Sequence, residues 1–447
     1  MTPQLVILCG GKGTRLAERL RLPDGTLLPK PLVPLEGTPL LERQMRHAAA
    51  FGVRRMTLLV AHRADAVREF CHGLHLPGVT VDLVEDGVPK GTAGATLHAL
   101  DGLEDEFLVM YGDTLLNVDL DRFVAFHRDS AAGITLFAHP NDHPRDSDLL
   151  DVDDQGLVRG MHPYPHPQGT AYRNLVNAAL YCMRKNALAP FRDTPAPADF
   201  AKDLFPLMIR SGTRIAAYAS PEYIKDVGTP ERLDAAERDL RSGRFAAQTL
   251  RLPQRAVFLD RDGVLNEEVG LLSKVEDMRL LPGASAAVRR LNRAGMLAVV
   301  VTNQPVVARG ECDETTLRRI HDRMESLLGD EGAYIDRLYY CPHHPHGGFP
   351  GERKDLKVPC TCRKPATGML ETARRDLHVD FARSWLVGDR TTDMQCARNA
   401  GIRSILVKTG MGGADGACLS TPDLEAEDIG AAVSIILAAE FPGEQAA

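Results

Sequence analysis

The pattern that most constrains this 447-residue chain occurs twice: a short apolar run that stops abruptly at a polar turn. Near the N-terminus LVILCG (5–10) runs into GKGTRL, and near the middle AVFLD (256–260) runs into RDGVLN. Short apolar runs bounded by turn residues read as buried strands. In the first turn, Gly10, Gly11 and Gly13 let backbone amides approach an anion closely. In the second, Asp260 and Asp262 stand just past a strand, where alternate residues face one side. A glycine-rich turn alone reads equally well as a tight strand-to-helix connection, and paired acids alone as solvated charge. The remaining motifs decide between these readings.

Further strand patterns cover 56–61, 79–84, 107–112 and 134–138, with helical periodicity between several of them, as over 41–51. This alternation predicts an α/β domain with a largely parallel sheet. A charged amphipathic helix over 229–240 closes the domain, and 241–254 reads as a linker. A second strand-first pattern follows, with strands over 256–260, 297–303, 384–389 and 404–408. Two α/β domains are therefore expected, 1–240 and 255–447, in a chain too long for one ordinary core. A net charge of -7 opposes general nucleic-acid binding, and no apolar run reaches membrane-spanning length. The start shows no basic leader-type segment. Of nine cysteines, only Cys341, Cys360 and Cys362 lie close together with histidines. That predicts reduced thiols, one metal site and a cytoplasmic location.

Around the first turn, Arg15 and Lys30 can neutralise a triphosphate, and a following helix would add its positive end. Lys30 lies in PKPLVP (29–34); KGTAGA (90–95), YGDT (111–114), NAALY (177–181) and YIKDVGTPERL (223–233) follow. With GGKGTRL these six pieces, in this order, resemble the sugar-1-phosphate nucleotidyltransferases. The resemblance implies a Rossmann-like mixed sheet and attack of a sugar phosphate oxygen on a nucleotide α-phosphate. It implies magnesium on Asp113 and Asp226, with Arg15 and Lys30 as the catalytic cations. The nucleotide would lie on Gly10, Gly11, Gly13, Gly91 and Thr92, and the sugar near Asn177. Positioning and charge neutralisation suffice for such a transfer. The segment 17–28 is longer than the family pattern and reads as a lid extension or a surface insertion. The domain is most similar to heptose-1-phosphate guanylyltransferases, which implies GTP as donor, with ATP or CTP open.

Past the second turn come VVVTNQ (299–304), CRKP (362–365) and VGDRTTDM (387–394). This ordered set resembles the haloacid dehalogenase superfamily, again Rossmann-like. The resemblance implies Asp260 as nucleophile, Asp262 as acid and base, Thr302 and Lys364 on the phosphoryl oxygens, and magnesium on Asp260, Asp262 and Asp389. CPHHPH (341–346) and CTC (360–362) supply thiolate and imidazole ligands in two close pairs. Cys341, His343, Cys360 and Cys362 are the expected structural zinc ligands, with His344 and His346 as competitors. That loop narrows the resemblance to the heptose-1,7-bisphosphate 7-phosphatases, close to the histidinol-phosphate phosphatases. Asn303, Arg309 and Arg363 are the expected substrate contacts. The chain departs from the pattern at Pro305 and Val306, where the resemblance implies a small, flexible pair.

The pairing of domains favours the heptose reading, because a 7-phosphatase releases the sugar 1-phosphate that a nucleotidyltransferase consumes. A regulatory protein with one degenerate site is the alternative of another class. The retained acids oppose it. The expected partners are sugar phosphates and a nucleoside triphosphate, without nucleic acid or membrane.

Overall fold

The computed structural model describes residues 2–21, 25–167, 169–348 and 350–442. Leu22, Pro23 and Asp24 of the long 17–28 segment and the last five residues of the expected second domain lie outside these. The chain divides into two compact units. The first comprises 1–139, 148–163 and 176–249; the second comprises 140–147, 164–175 and 250–447. The second unit thus takes in two segments from within the sequence span expected for the first domain.

The first unit is built on a nine-stranded sheet. Gln4–Leu8 sits centrally, flanked in parallel by Arg55–Val60 and Glu106–Tyr111, with Thr80–Glu85 parallel at the edge. Leu5 and Ile7 are fully buried and share a core with Met45, Leu58, Leu108 and Met110. The sheet is less parallel than the strand pattern predicts. Val176–Arg184 runs antiparallel to Glu106–Tyr111 and carries Ile134–His139 on its other side. Its register shifts between Asn177 and Tyr181, where Ala179 adopts a φ of 56°. An irregular strand of this kind leaves no clean period of two in the sequence.

The second unit holds a six-stranded sheet, parallel throughout, in the order Arg337–Cys341, Leu297–Asn303, Ala256–Leu259, Trp385–Gly388, Arg403–Val407, Leu424–Ala426. Alternation along Ala256–Leu259 divides its side chains between two cores. Val257 and Leu259 join one with Leu291, Ile320 and Val433, while Ala256 and Phe258 join the other with Leu370, Ala373 and Ala397. Helices covering both faces explain why this strand is apolar without interruption. Its C-terminal end is where the acidic turn emerges. No described helix is long and apolar enough to cross a membrane.

Candidate functional sites

In the first unit, a cavity of about 440 Å³ opens beside the end of Gln4–Leu8. Gly10, Gly11, Gly13, Arg15, Lys30, Gly91, Thr92 and Asp113 all line it, as does Gly228. These expected residues are scattered over the sequence, and the parallel sheet gathers them at its C-terminal edge. The helix expected after the glycine turn is absent. Thr14–Leu16 forms a single 3-10 turn, too short to present a helix dipole. The helix that starts at the cavity is Gly91–Ala99, entered through Lys90. Gly91 has a φ of 78°, and a Cβ there would meet the Ala198 carbonyl oxygen at 2.3 Å, so only glycine fits.

Asp113 and Asp226, far apart in sequence, come together through two short paired strands. Thr114–Leu116 and Ile224–Asp226 run antiparallel with Asp226 opposite Thr114, and Val227 N donates to Asp113 O at 2.8 Å. Asp113 pairs with Lys30. Asp226 accepts from Arg232 Nη1 at 2.7 and 2.9 Å. Arg15, Lys30 and Asp226 converge around Gly228, whose hypothetical Cβ would lie within 3.3 Å of all three side chains. Two carboxylates in this setting match the donor set of a magnesium ion that takes its other ligands from phosphates.

Asn177 does not line the cavity. It donates to Tyr181 Oη at 3.1 Å, and the Tyr181 ring stands edge-on to Tyr111, which does line it. Asp86, which sequence reading passed over, is a wall residue. Its Oδ1 is buried without a hydrogen-bond partner. Burial raises its pKa, with His98 and Lys90 opposing. The long 17–28 segment is anchored by Leu20, which is buried with Leu16, Leu233 and Ala236.

In the second unit, Asp260, Asp389 and Asp393 bring carboxylate oxygens within 4.8 Å of one another, all buried. Lys364 Nζ lies 2.9 Å from Asp260 and 2.6 Å from Asp393. Burial pushes Asp389 up to about 8, helped by Asp260, and Asp393 up to about 6 against the pull of Lys364. Burial would lower the pKa of Lys364, but Asp260 and Asp393 raise it above the usual value, so the ammonium is kept charged. Asp389 Oδ1 is buried and has no hydrogen-bond partner. Three buried carboxylates with an orphaned oxygen fit a hard divalent cation.

One expected magnesium ligand has its carboxylate elsewhere. Asp262 is absent from the trio, because its carboxylate turns to Arg261, Asn266 and Gln304. Those donors hold its pKa below the usual value despite burial. Asp393 takes the third position from the first turn of helix Thr391–Ala400. Its spacing of four from Asp389 was the available signal. Thr302 is buried and accepts from Gln304 at 2.8 Å. Asn303 bonds Lys364 twice, Nδ2 to the carbonyl at 3.1 Å and Oδ1 from the amide at 3.0 Å. It therefore holds the lysine backbone in place. Arg363 donates to the His343 carbonyl at 3.2 Å, and Arg309 and Arg390 lie close enough to depress its pKa further after burial. The departure at Pro305 and Val306 resolves into packing: Val306, Val307 and Ala308 are buried against Leu317 and Leu356.

The four expected zinc ligands converge. Cys341 Sγ lies 3.6 Å from Cys360 Sγ and 3.1 Å from Cys362 Sγ, and His343 Nδ1 lies 3.3 Å from Cys362 Sγ. The cysteines are free thiols. A mutually facing set of three sulfurs and one imidazole nitrogen fits tetrahedral zinc. His344 and His346 stand outside this group, with His344 Nδ1 3.1 Å from the His346 carbonyl oxygen.

The folds and sites together define an enzyme with two activities, a hydrolase of phosphate monoesters and a nucleotidyltransferase. The nucleotidyl transferase family model matches residues 4–243, and a HAD-hydrolase-like model matches 361–432. The chain is 45% identical over 192 residues to D-glycero-D-manno-heptose-1,7-bisphosphate 7-phosphatase of Thermosynechococcus vestitus, covering 41% of this chain and 96% of that one. It is 40% identical over 156 residues to the corresponding Escherichia coli phosphatase, covering 35% and 80%. A crystal structure of HddC from Yersinia pseudotuberculosis is 26% identical with a TM-score of 0.45, covering 53% and 99%. The chain belongs to the nucleotidyl transferase family, and its C-terminal part belongs with the heptose-bisphosphate phosphatases of the HAD superfamily.

Proposed function

We propose that the chain removes the 7-phosphate of D-glycero-D-manno-heptose 1,7-bisphosphate and then joins the resulting heptose 1-phosphate to the nucleotidyl group of GTP. The carrying observation is that one chain holds both a cavity lined by Arg15 and Lys30 and a buried Asp260–Lys364 pair, together with a Cys/His cluster. The product of the second site is the substrate class of the first.

In the phosphatase unit, Asp260 is the nucleophile. Its carboxylate oxygen forms a bond to phosphorus as the sugar oxygen leaves, and Asp262 gives that oxygen its proton. Water then attacks the phosphoenzyme, Asp262 takes the water proton, and the bond to Asp260 breaks to release phosphate. Lys364 neutralises charge between Asp260 and Asp393. A magnesium ion on Asp260, Asp389 and Asp393 would mask charge between the anionic nucleophile and the ester. Zinc on Cys341, His343, Cys360 and Cys362 would pin the loop beside Lys364.

In the transferase unit, Arg15 and Lys30 hold the triphosphate, with magnesium on Asp113 and Asp226. The base choice rests on Asp86. Asp86 lines the cavity, its Oδ1 is buried without a hydrogen-bond partner, and a carboxylate accepts hydrogen bonds only. Guanine offers two adjacent donors, N1–H and the exocyclic amine. Adenine and cytosine each set a ring acceptor beside their amine, and uracil flanks its one N–H with carbonyl oxygens. GTP is therefore the donor.

Incubation with heptose 1,7-bisphosphate and each nucleoside triphosphate in turn, followed by mass analysis, tests the reading. The expected product is GDP-heptose. Heptose bisphosphate recovered intact, or a different nucleotide sugar formed in preference, would overturn the corresponding half.

A further inference from the structure

The acidic turn FLDRDG contains a third charged residue, and it is the largest fully buried side chain of the second unit. Arg261 has no exposed surface. Its Nε and Nη2 donate to Asp262 Oδ1 at 3.1 and 2.8 Å, and Nη2 also lies 2.9 Å from Oδ2. The same Nη2 donates to Gln304 Oε1 at 3.0 Å, and Gln304 Nε2 returns a bond to Asp262 Oδ2 at 2.8 Å. On the far side Nη1 lies 3.2 Å from His321 Nε2. The nitrogen of His321 facing a guanidinium must be the acceptor, so the ring is neutral and its proton sits on Nδ1. Burial and the Arg261 charge both favour that neutral form.

The backbone of Arg261 is a hub as well. Its carbonyl oxygen accepts from the amides of Leu265 and Asn266 at 2.9 and 3.1 Å, closing the turn. Asn266 then reaches Asp262 Oδ1 with Nδ2 at 2.9 Å. Every donor to Asp262 is thus fixed by Arg261 or by a residue that Arg261 anchors. Asp260 lies outside this net, with its carboxylate committed to Lys364 and to the Arg261 amide at 2.7 Å.

We infer that Arg261 is a positioning residue: it holds the Asp262 carboxylate in the orientation needed to receive a proton from the attacking water, while Asp260 is oriented separately by Lys364 and the turn amide. This deepens the phosphatase reading and rests on it. A buried guanidinium is costly unless fully hydrogen-bonded, and its rigid fork fits a carboxylate as an ammonium cannot. The chain keeps this fork at the carboxylate whose work as a base requires fixed geometry toward the attacking water.

The test uses the full chain, with Arg261→Met and Arg261→Lys variants whose thermal unfolding is compared with the parent. Rapid-mixing kinetics with p-nitrophenyl phosphate separates the two half-reactions. Its leaving group departs without a proton, so the p-nitrophenol burst reports Asp260 attack and the later steady phase reports water attack assisted by Asp262. For Arg261→Met the expected result is a burst rate within about 3-fold of the parent and a steady rate lowered roughly 100-fold, as for loss of general base action. Arg261→Lys, which restores charge without the fork, should recover less than a tenth of the lost steady rate. Equal loss of burst and steady phase in a folded variant would mean a merely structural role and overturn the inference, as would unchanged kinetics. Full recovery in the lysine variant would refute the need for the fork. Failure of the parent on heptose bisphosphate alone would strike the substrate reading and leave the aryl phosphate arm to judge Arg261.

Discussion

Asp86→Asn changes one atom in the wall of the transferase cavity and removes the charge proposed to select the base. The carboxylate offers two acceptors to the paired donors of guanine, and its Oδ1 has no competing partner. A hydrogen bond to a charged group contributes about 1.5–3 kcal/mol, and the half-exposed setting of Asp86 argues for the lower figure per bond. The amide keeps one acceptor and loses the other, so at least one such bond is lost, about 1.5 kcal/mol or roughly 10-fold in kcat/KM at about 1.4 kcal/mol per factor of ten. The amide also presents one donor and one acceptor, which match the N6 amine and N1 of adenine. The variant should therefore lose GTP use and gain ATP use. The assay is pyrophosphate release with heptose 1-phosphate supplied and GTP or ATP varied, with phosphate release from the bisphosphate as an internal control. A GTP kcat/KM within about 3-fold of the parent, or an equal fall with both nucleotides, would refute base recognition by Asp86.

Asp260→Asn should abolish phosphate release while nucleotidyl transfer to supplied heptose 1-phosphate persists; near-normal release would remove Asp260 as nucleophile. Asp113→Ala and Asp226→Ala should each stop transfer and spare the phosphatase, and the double variant should be little worse than either, since one ion is shared; multiplicative losses in rate assays would separate the two acids. Cys360→Ser should lower bound zinc from one per chain, measured by metal analysis, and lower the melting temperature of the second unit, because a structural metal contributes folding energy. The folded-state pKa values of Asp389 and Asp393 are raised to about 8 and about 6, so metal-free stability falls as pH rises from about 4 through those values. Magnesium should therefore raise the melting temperature by more at pH 8 than at pH 5, and calorimetry giving equal shifts would contradict the trio.

The convergence of Gly10, Gly11, Gly13, Arg15 and Lys30 on one cavity was legible because their spacing along the chain is local. The strand Ala256–Leu259 was equally legible, since both of its faces are buried and its apolar run is unbroken. Val176–Arg184 was not, because a register shift and the left-handed Ala179 break its alternation. Asp86 carried no local signal; only the cavity shows that its carboxylate oxygen is orphaned. That the Asp262 carboxylate turns to Arg261 and away from the Asp260, Asp389 and Asp393 trio was not legible, because sequence proximity to Asp260 says nothing of where Arg261 turns. The two segments that join the second unit from residues 140–147 and 164–175 likewise depend on long-range packing, which no periodicity encodes.

The central claim is that one chain performs two consecutive steps on one sugar. Phosphorus NMR of the purified protein with heptose 1,7-bisphosphate and magnesium tests it most directly. Without nucleotide, the account predicts inorganic phosphate and a persisting heptose 1-phosphate signal. On addition of GTP, that signal should give way to GDP-heptose with one pyrophosphate for each sugar consumed. Pyrophosphate formed before any phosphate release, or heptose 1-phosphate that accumulates and is never consumed, would contradict it.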